Sequence, residues 1–337
     1  MTYDLHGYYG FNNLGDELML ESVIVRLSKN NEVKIRCWIN KSISKSALLL
    51  YNKKYPNVLF KKYPITFKAF SFFISKNVTR AFWVGGNCFY SSESSSLQWL
   101  NKLTQYYCDK QAKFYFLGVG VGEIDSKDKK TFEQIIKNSY KIYFRECNSL
   151  KKVQYLNQSK FGISGDLSYN ILPNYKKLCE KKDNFHFLFS GHKYFVERVN
   201  IDPIISSIIN SGKSFKTINF HGGTGGDDEF NNEINLPDVN HLDVLSVEEQ
   251  INEIINCQGI VSYRLHSIVV ADFFRIPNIA IKYDPKISDY HSVMKKSKNS
   301  LIEVGEQFKI KDLSVPAENK VVEESIELNN RVFDEVF

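Results

Sequence analysis

The stretch Gly259-Ile-Val-Ser-Tyr-Arg-Leu-His-Ser267, continued by IVVADFFRIPNIAIKYDPK to Lys286, carries the pattern that decides the fold. Gly259–Tyr263 is a short apolar run of the kind found in strands buried on both faces. A helical period follows, with Ile268, Val269, Ala271 and Phe274 on one face. A second apolar run, Asn278–Ile281, then returns the chain. Strand, helix and strand at this spacing make a βαβ unit, and such units build parallel sheets.

The same alternation extends in both directions. Upstream, strands are expected near Asp4–Tyr8, Val33–Ile39, Val58–Lys62, Ala81–Val84, Lys113–Leu117, Lys141–Phe144 and Gly162–Gly165. Helices are expected between them, notably at Asp16–Ser28, Ser94–Cys108, Lys127–Asn138 and Cys147–Tyr155. A polar, lysine-rich stretch, LPNYKKLCEKKD at 172–183, interrupts the series. A second β/α series follows, from Phe185 to the run quoted above. The reading is an α/β protein of two Rossmann-like domains facing a cleft, residues 1–175 and 184–305, with a C-terminal tail at 306–337. A chain of 337 residues suits two such domains. Ligands of these folds bind at the carboxyl ends of the strands.

With 43% hydrophobic and 24% charged residues the chain is globular rather than disordered. Its net charge of +6 suits small anions or anionic headgroups. The basic residues are spread along the chain, so nucleic acid is not expected as a partner. The six cysteines stand singly, without a CxxC pair, which points to buried thiols in a reducing compartment. No carboxylate/His cluster suggests an obligatory metal. The N-terminus lacks a signal-peptide pattern, and no apolar run reaches the length of a membrane span. A cytoplasmic location is therefore expected. Residues 53–73, KKYPNVLFKKYPITFKAFSFF, interleave lysine with aromatic residues. They read either as a strand and amphipathic helix with a solvated lysine face, or as a peripheral contact at the inner face of a membrane.

Several strand ends carry anion-binding chemistry. In Gly7-Tyr-Tyr-Gly-Phe-Asn-Asn-Leu-Gly-Asp-Glu17 the glycines, Gly10 among them, permit close backbone approach, and the helix that follows offers unpaired N–H groups. Asn13, Asp16 and Glu17 are candidates for contacts to a sugar; capping and dipole complementation are the competing roles. Gly85, Gly86 and Asn87 follow another strand. GVGVG at 118–122 resembles a dinucleotide turn, but its G-x-G-x-G spacing departs from G-x-G-x-x-G, and the next strand ends in Arg145 rather than an acid, which argues against nicotinamide binding. Arg145 presents a planar fork suited to carboxylate or phosphate, with a salt bridge to Glu146 as its alternative role. Arg264 and His266 fall in the first turn of a helix, where cations are disfavoured unless an anion is bound. His266 is in addition a candidate general acid. Tyr283 and Lys286 follow the next strand, where Asp284-Pro285 would also make a turn by itself. The string His221–Asp228, with four glycines and two acids, reads equally as a site or as a mobile surface loop.

Taken in order, these strings resemble the polysaccharide pyruvyl transferase family. Gly7–Glu17 is similar to its opening G-Y-x-G-x-x-N-x-G-D-E, Val84–Asn87 to its glycine-rich strand end, and Gly118–Gly120 to its G-x-G step. Arg145–Ser149 resembles its arginine turn, and Arg264-Leu265-His266 with Pro277, Tyr283 and Lys286 its later signature. Asn87 stands where the family usually has a third glycine, and Gly165-Asp166 replaces a D-P-A type turn. The resemblance implies a fold similar to B-type glycosyltransferases and phosphoenolpyruvate as co-substrate, without a further cofactor. It implies a pyruvate ketal on a sugar of a cell-surface polysaccharide, such as an exopolysaccharide or capsule, or on a lipid-linked precursor. Arg145, Arg264 and His266 would hold the donor, with Lys286 adding positive charge; His266 is the candidate proton donor, Arg264 would stabilise the departing phosphate, and Asp16 or Glu17 is the candidate base. A nucleotide-sugar glycosyltransferase of the same fold, or a non-catalytic partner in polysaccharide assembly, are the competing readings.

Overall fold

The structure is a computed structural model that describes residues 1–41, 43–64, 77–91, 96–156, 158–178, 186–191, 202–220, 227, 240–242, 245–316 and 318–337. These form two compact units, one comprising residues 1–10, 16–171 and 325–337, the other residues 11–15 and 172–324.

The first unit contains β1 (Thr2–His6), most of α1 (Leu14–Leu27), β2 (Lys34–Ile39), α2 (Lys45–Lys54), β3 (Val58–Lys62) and β4 (Val78–Val84). It continues with α3 (Ser96–Asp109), β5 (Lys113–Val119), α4 (Lys129–Asn138), β6 (Lys141–Phe144), α5 (Cys147–Val153) and β7 (Phe161–Ile163). The strands form one sheet in the order β3-β2-β1-β4-β5-β6-β7, and every pairing is parallel. Strand order turns back on itself at β1 and β4, the switch point at which open α/β sheets bind ligands.

The second unit contains β8 (His186–Ser190), α6 (Asp202–Asn210), β9 (Ser214–Thr217), β10 (Asn240–His241) and α7 (Val247–Ile255). The quoted βαβ unit is β11 (Ile260–Ser262), α8 (Leu265–Phe273) and β12 (Asn278–Lys282), followed by α9 (Pro285–Val293) and β13 (Leu301–Glu303). This sheet is also parallel, in the order β10-β9-β8-β11-β12-β13. The tail is the helix α10 (Asn319–Val336), whose residues from Ser325 onward belong to the first unit.

Core packing follows from strands that are apolar on both faces. On one side of the first sheet, Leu20, Val23 and Ile24 of α1 pack with Val332 and Phe333 of α10. On the other side lie Leu100, Leu103 and Tyr107 of α3 with Phe132 and Ile135 of α4. In the second unit Phe187, Phe189, Val261, Ile279 and Ile281 form the corresponding core.

Several elements depart from the sequence expectations. β1 ends at His6 rather than Tyr8, because the chain already turns at Gly7. Residues 172–178 of the lysine-rich stretch are 3₁₀ turns within the second unit; 179–183 lie outside the described residues. Cys37, Cys88 and Cys257 are buried, but Cys108 and Cys147 are exposed, because the outer faces of α3 and α5 carry them. Of the lysine/aromatic stretch, 58–62 are a strand, and residues 65–73 lie outside the described residues.

Candidate active site

In the second unit the site grows from the end of β11. Ser262 Oγ accepts the backbone N–H of Arg264 (2.9 Å) and the hydroxyl of Ser267 (2.7 Å), and the Ser267 hydroxyl lies 2.7 Å from the Arg264 carbonyl. This knot turns the strand into α8 and leaves Arg264 as the N-cap, in extended backbone. The guanidinium meets Asp227, whose Oδ1 and Oδ2 lie 3.1 and 3.2 Å from Nε, and Nη2 donates to Oδ1 as well. Asp227 is fully buried, and its Oδ2 also accepts the Phe220 amide (2.9 Å). Asp227 thus supplies an anion that the sequence argument assigned to a ligand alone. It fixes the plane of the Arg264 fork, which stays 16% exposed.

His266 is half-buried one residue into α8. Its imidazole lies against Gly15: a Cβ built there would fall 1.8 Å from Nδ1. Only glycine fits this contact. Residues 11–15, part of the second unit, are held to it by two further bonds. The Asn12 side chain donates to the Leu245 carbonyl (2.6 Å), with Asn12 in left-handed backbone, and the Leu14 amide donates to the Phe220 carbonyl (3.2 Å). Asn13 caps α1, its Oδ1 accepting the Gly15 amide at 3.2 Å. The centre of the opening string and the R-x-H signature, about 250 residues apart, therefore meet.

Tyr283 and Lys286 lie after β12. Asp284 caps α9 by accepting the Lys286 amide (2.9 Å), with Pro285 in the first turn. The Lys286 ammonium stands 3.7 Å from Asp284 and 5.1 Å from the centroid of the Tyr283 ring. Tyr283 in turn lies 6.4 Å from Tyr263, the residue before Arg264. The Asp-Pro turn of the alternative reading is present, and the lysine folds back over it.

The remaining candidates belong to the first unit. Glu17 Oε1 accepts the Gly10 amide (2.9 Å), and its carboxyl is also bonded to Tyr51. Burial pushes the Glu17 carboxyl up to about 7, the neighbouring Asp16 adding to the rise and the two hydrogen bonds opposing it. Gly85 and Gly86 follow β4 in left-handed backbone, and a Cβ at Gly86 would lie 3.7 Å from Asp16 Oδ1. Beyond β5, a Cβ at Gly120 would come within 2.4 Å of Asn87 Oδ1 and 3.2 Å of Glu146 Oε1. Glu146 pairs with the Arg145 Nε at 2.8 Å, and both side chains are largely buried. Ser149 donates to the same carboxylate and accepts the Val121 amide at 2.9 Å. Asn87, Glu146 and Arg145 thus form one polar cluster at the ends of β4, β5 and β6.

Asp227 and Glu146 are the residues that sequence reading left out of the site. Asp227 had a signal, since it directly follows the glycine-rich string 221–226; of the stretch 221–228 only Asp227 lies within the described residues. Glu146 carries no signal in the sequence beyond a salt bridge to its neighbour Arg145. Among the described residues, no group of three His, Cys, Asp or Glu side chains is placed to hold a metal ion.

The family model for polysaccharide pyruvyl transferase matches residues 13–285, well over half of the chain. The chain belongs to the polysaccharide pyruvyl transferase family. The matched span opens at Asn13, the cap of α1, and closes at Pro285, so it takes in the contacting pair Gly15 and His266. No curated protein matches the chain in sequence. Among solved structures it is similar to Anabaena HepE in complex with UDP, at a TM-score of 0.62 and 8% identity, covering 100% of this chain and 99% of that one. It is also similar to UDP-GlcNAc 2-epimerase from Neisseria meningitidis bound to UDP-GlcNAc, with TM-score 0.58, 9% identity, and 99% and 93% coverage. The putative UDP-N-acetylglucosamine 2-epimerase from Listeria monocytogenes gives TM-score 0.58, 7% identity, and 99% and 89% coverage. At such identities the likeness is one of fold, and the fold of this pyruvyl transferase family member is that of B-type glycosyltransferases and related epimerases. Among the described residues, no helix is long and apolar enough to cross a membrane.

Proposed function

We propose that this chain transfers pyruvate from phosphoenolpyruvate to two hydroxyls of one sugar, forming a ketal and releasing inorganic phosphate. The observation that carries the reading is the Arg264 fork, held in a fixed plane by buried Asp227 at the amino end of α8, two residues before His266. A preset guanidinium and the positive end of a helix dipole together suit a donor with a carboxylate and a phosphate. Lys286 adds positive charge after the neighbouring strand β12.

His266 delivers a proton to the methylene carbon of the donor, which becomes the methyl group of the product. The adjacent carbon turns oxocarbenium-like and is attacked by the first sugar hydroxyl, whose proton passes to a base. Asp16, on the opening string and close to Gly86, is the carboxylate we assign to that role. The C–O bond to phosphate then breaks, Arg264 stabilising the charge on the leaving group. The second hydroxyl closes the ketal, and its proton leaves with the phosphate. Arg145 is assigned to the donor by its family resemblance. The acceptor class, a saccharide of a cell-surface polysaccharide or its lipid-linked precursor, rests on the family as well.

The test is thermal stability under titration with phosphoenolpyruvate, with UDP-sugars as controls. A ligand at about a hundredfold its Kd adds about 2.7 kcal/mol to the folded state. Wild type should shift with phosphoenolpyruvate, and Arg264→Ala should not. A shift with a UDP-sugar and none with phosphoenolpyruvate would replace this reading with a nucleotide-sugar transferase.

A further inference from the structure

We propose that the outward face of α2 is a docking surface for an anionic lipid bilayer. The inference stands apart from the transfer reaction and needs none of its residues.

Helix α2 has two unlike faces. Ala47, Leu48 and Tyr51 pack onto the core of the first unit, with the Tyr51 ring 5.1 Å from that of Phe60 on β3. On the outward face Leu49 and Leu50 are 69% and 67% exposed, among the most exposed large apolar side chains of the described residues. Lys45 and Lys53 flank them and are exposed as well. Among the described residues β3, beneath the helix, is the edge strand of its sheet, so α2 lies at the margin of the described sheet.

The sequence of α2 and its flanks is one-sided in charge. Residues 41–62 contain six lysines and no Asp or Glu, whereas the whole chain carries only +6. Two acids of α1 reach α2, and both are engaged. Glu17 is buried against Tyr51, and Glu21 is bridged to Lys54 at 2.7 Å. At the carboxyl end of α2 a groove of about 300 Å³ is lined by Ile24, Val25, Lys29, Lys54, Tyr55 and Pro56, an apolar floor with lysines at its rim.

This combination selects its occupant. A bilayer interface receives leucines below the headgroups while lysine stems run alongside and place their ammonium groups at phosphate level. An anionic surface rewards each nearby lysine, by about fivefold in affinity. A nucleic acid would leave the two leucines in water. A second copy would set one lysine cluster against another, which like-charge repulsion opposes.

The experiment is vesicle flotation of the full chain at low salt, with phosphatidylcholine alone and with added phosphatidylglycerol. Wild type should float with the anionic vesicles at least tenfold better than with the neutral ones, and less as salt shortens the Debye length below about 10 Å. L49S/L50S and K45E/K53E should each lose at least tenfold of that binding. All four side chains are exposed, so melting temperature and the response to phosphoenolpyruvate should match wild type in both variants. Failure of wild type to float, or variants that float as wild type does, overturns the proposal. So does a wild-type dimer that L49S/L50S dissociates without any flotation, which would assign the face to a second copy of the chain.

Discussion

Two arginine–aspartate pairs, one in each unit, engage the carboxylate through the same two guanidinium nitrogens, Nε and Nη2, and differ in their surroundings. Arg36 and Asp4 sit opposite each other in register on β2 and β1, with Nε and Nη2 at 2.8 and 2.6 Å from the two carboxylate oxygens. Tyr107 donates to the same carboxylate at 2.6 Å, and His6 bridges Tyr107 and Tyr63 at 2.8 and 2.7 Å. Since the single Tyr107 proton is committed to Asp4, His6 donates from Nε2 and accepts from Tyr63 at Nδ1. Burial, with Arg36 adding to it, holds His6 well below the usual histidine range, so the ring is neutral. Side-chain exposure of this pair is 6% and 0%. Asp227 is as deeply buried, but Arg264 is 16% exposed and lies past the end of a strand rather than within one. A closed ion pair orders a core; one that is open at a strand's carboxyl end can also meet a ligand. Position in the fold, rather than residue type, separates the two roles.

Removing a partner from the closed pair should have the largest effect on stability. Arg36→Met leaves Asp4 buried without its cation and should cost about 3–5 kcal/mol in urea unfolding, while the folded fraction keeps its response to phosphoenolpyruvate. Loss of that response would mean that the closed pair also serves the site.

Glu17 extends the comparison to a buried carboxylate held by the Gly10 amide and Tyr51. Its folded pKa of about 7 lies above the unfolded value of about 4.5, so the folded state holds the extra proton between them. The associated stability is fully present below about pH 4.5 and is lost as pH rises through about 7. Relative to Glu17→Gln, wild type should lose on the order of 3 kcal/mol between pH 5 and pH 8 in denaturant titrations. Parallel pH curves for the two proteins would show that this carboxyl is ionised throughout.

The open pair should give the smallest change in stability and a selective change in function. Asp227→Asn retains an acceptor for the Phe220 amide but loosens the Arg264 plane. It should weaken phosphoenolpyruvate binding about tenfold, about 1.4 kcal/mol, with the melting temperature moving little. Unchanged affinity would make this pair as purely structural as the other.

Much of the fold could be read from the order of residues. Runs such as Gly259–Tyr263 and Lys113–Leu117 are apolar on both faces, and only a covered parallel sheet accepts many of these in succession. The placement of Arg264 and His266 was legible for the same reason, because a strand end followed by a helix start fixes where they fall in the chain. Gly15 was visible as part of a string, but its purpose, to leave room for His266, was not. The exposed Leu49 and Leu50 were equally hidden, since an apolar triplet reads as core until its neighbours are known.

The sequence by itself determined local periodicity, strand ends and the family, because each depends on spacings of a few residues or on strings that can be matched one by one. Tertiary structure alone decided which charges are spent. It gave Asp227 to Arg264 across 37 positions, and it closed Asp4 and Arg36 beneath Tyr107. The reason is physical: the strength of an ion pair and the reach of its donors depend on burial and on the third and fourth partners, and those are set by distances in space that sequence separation does not encode.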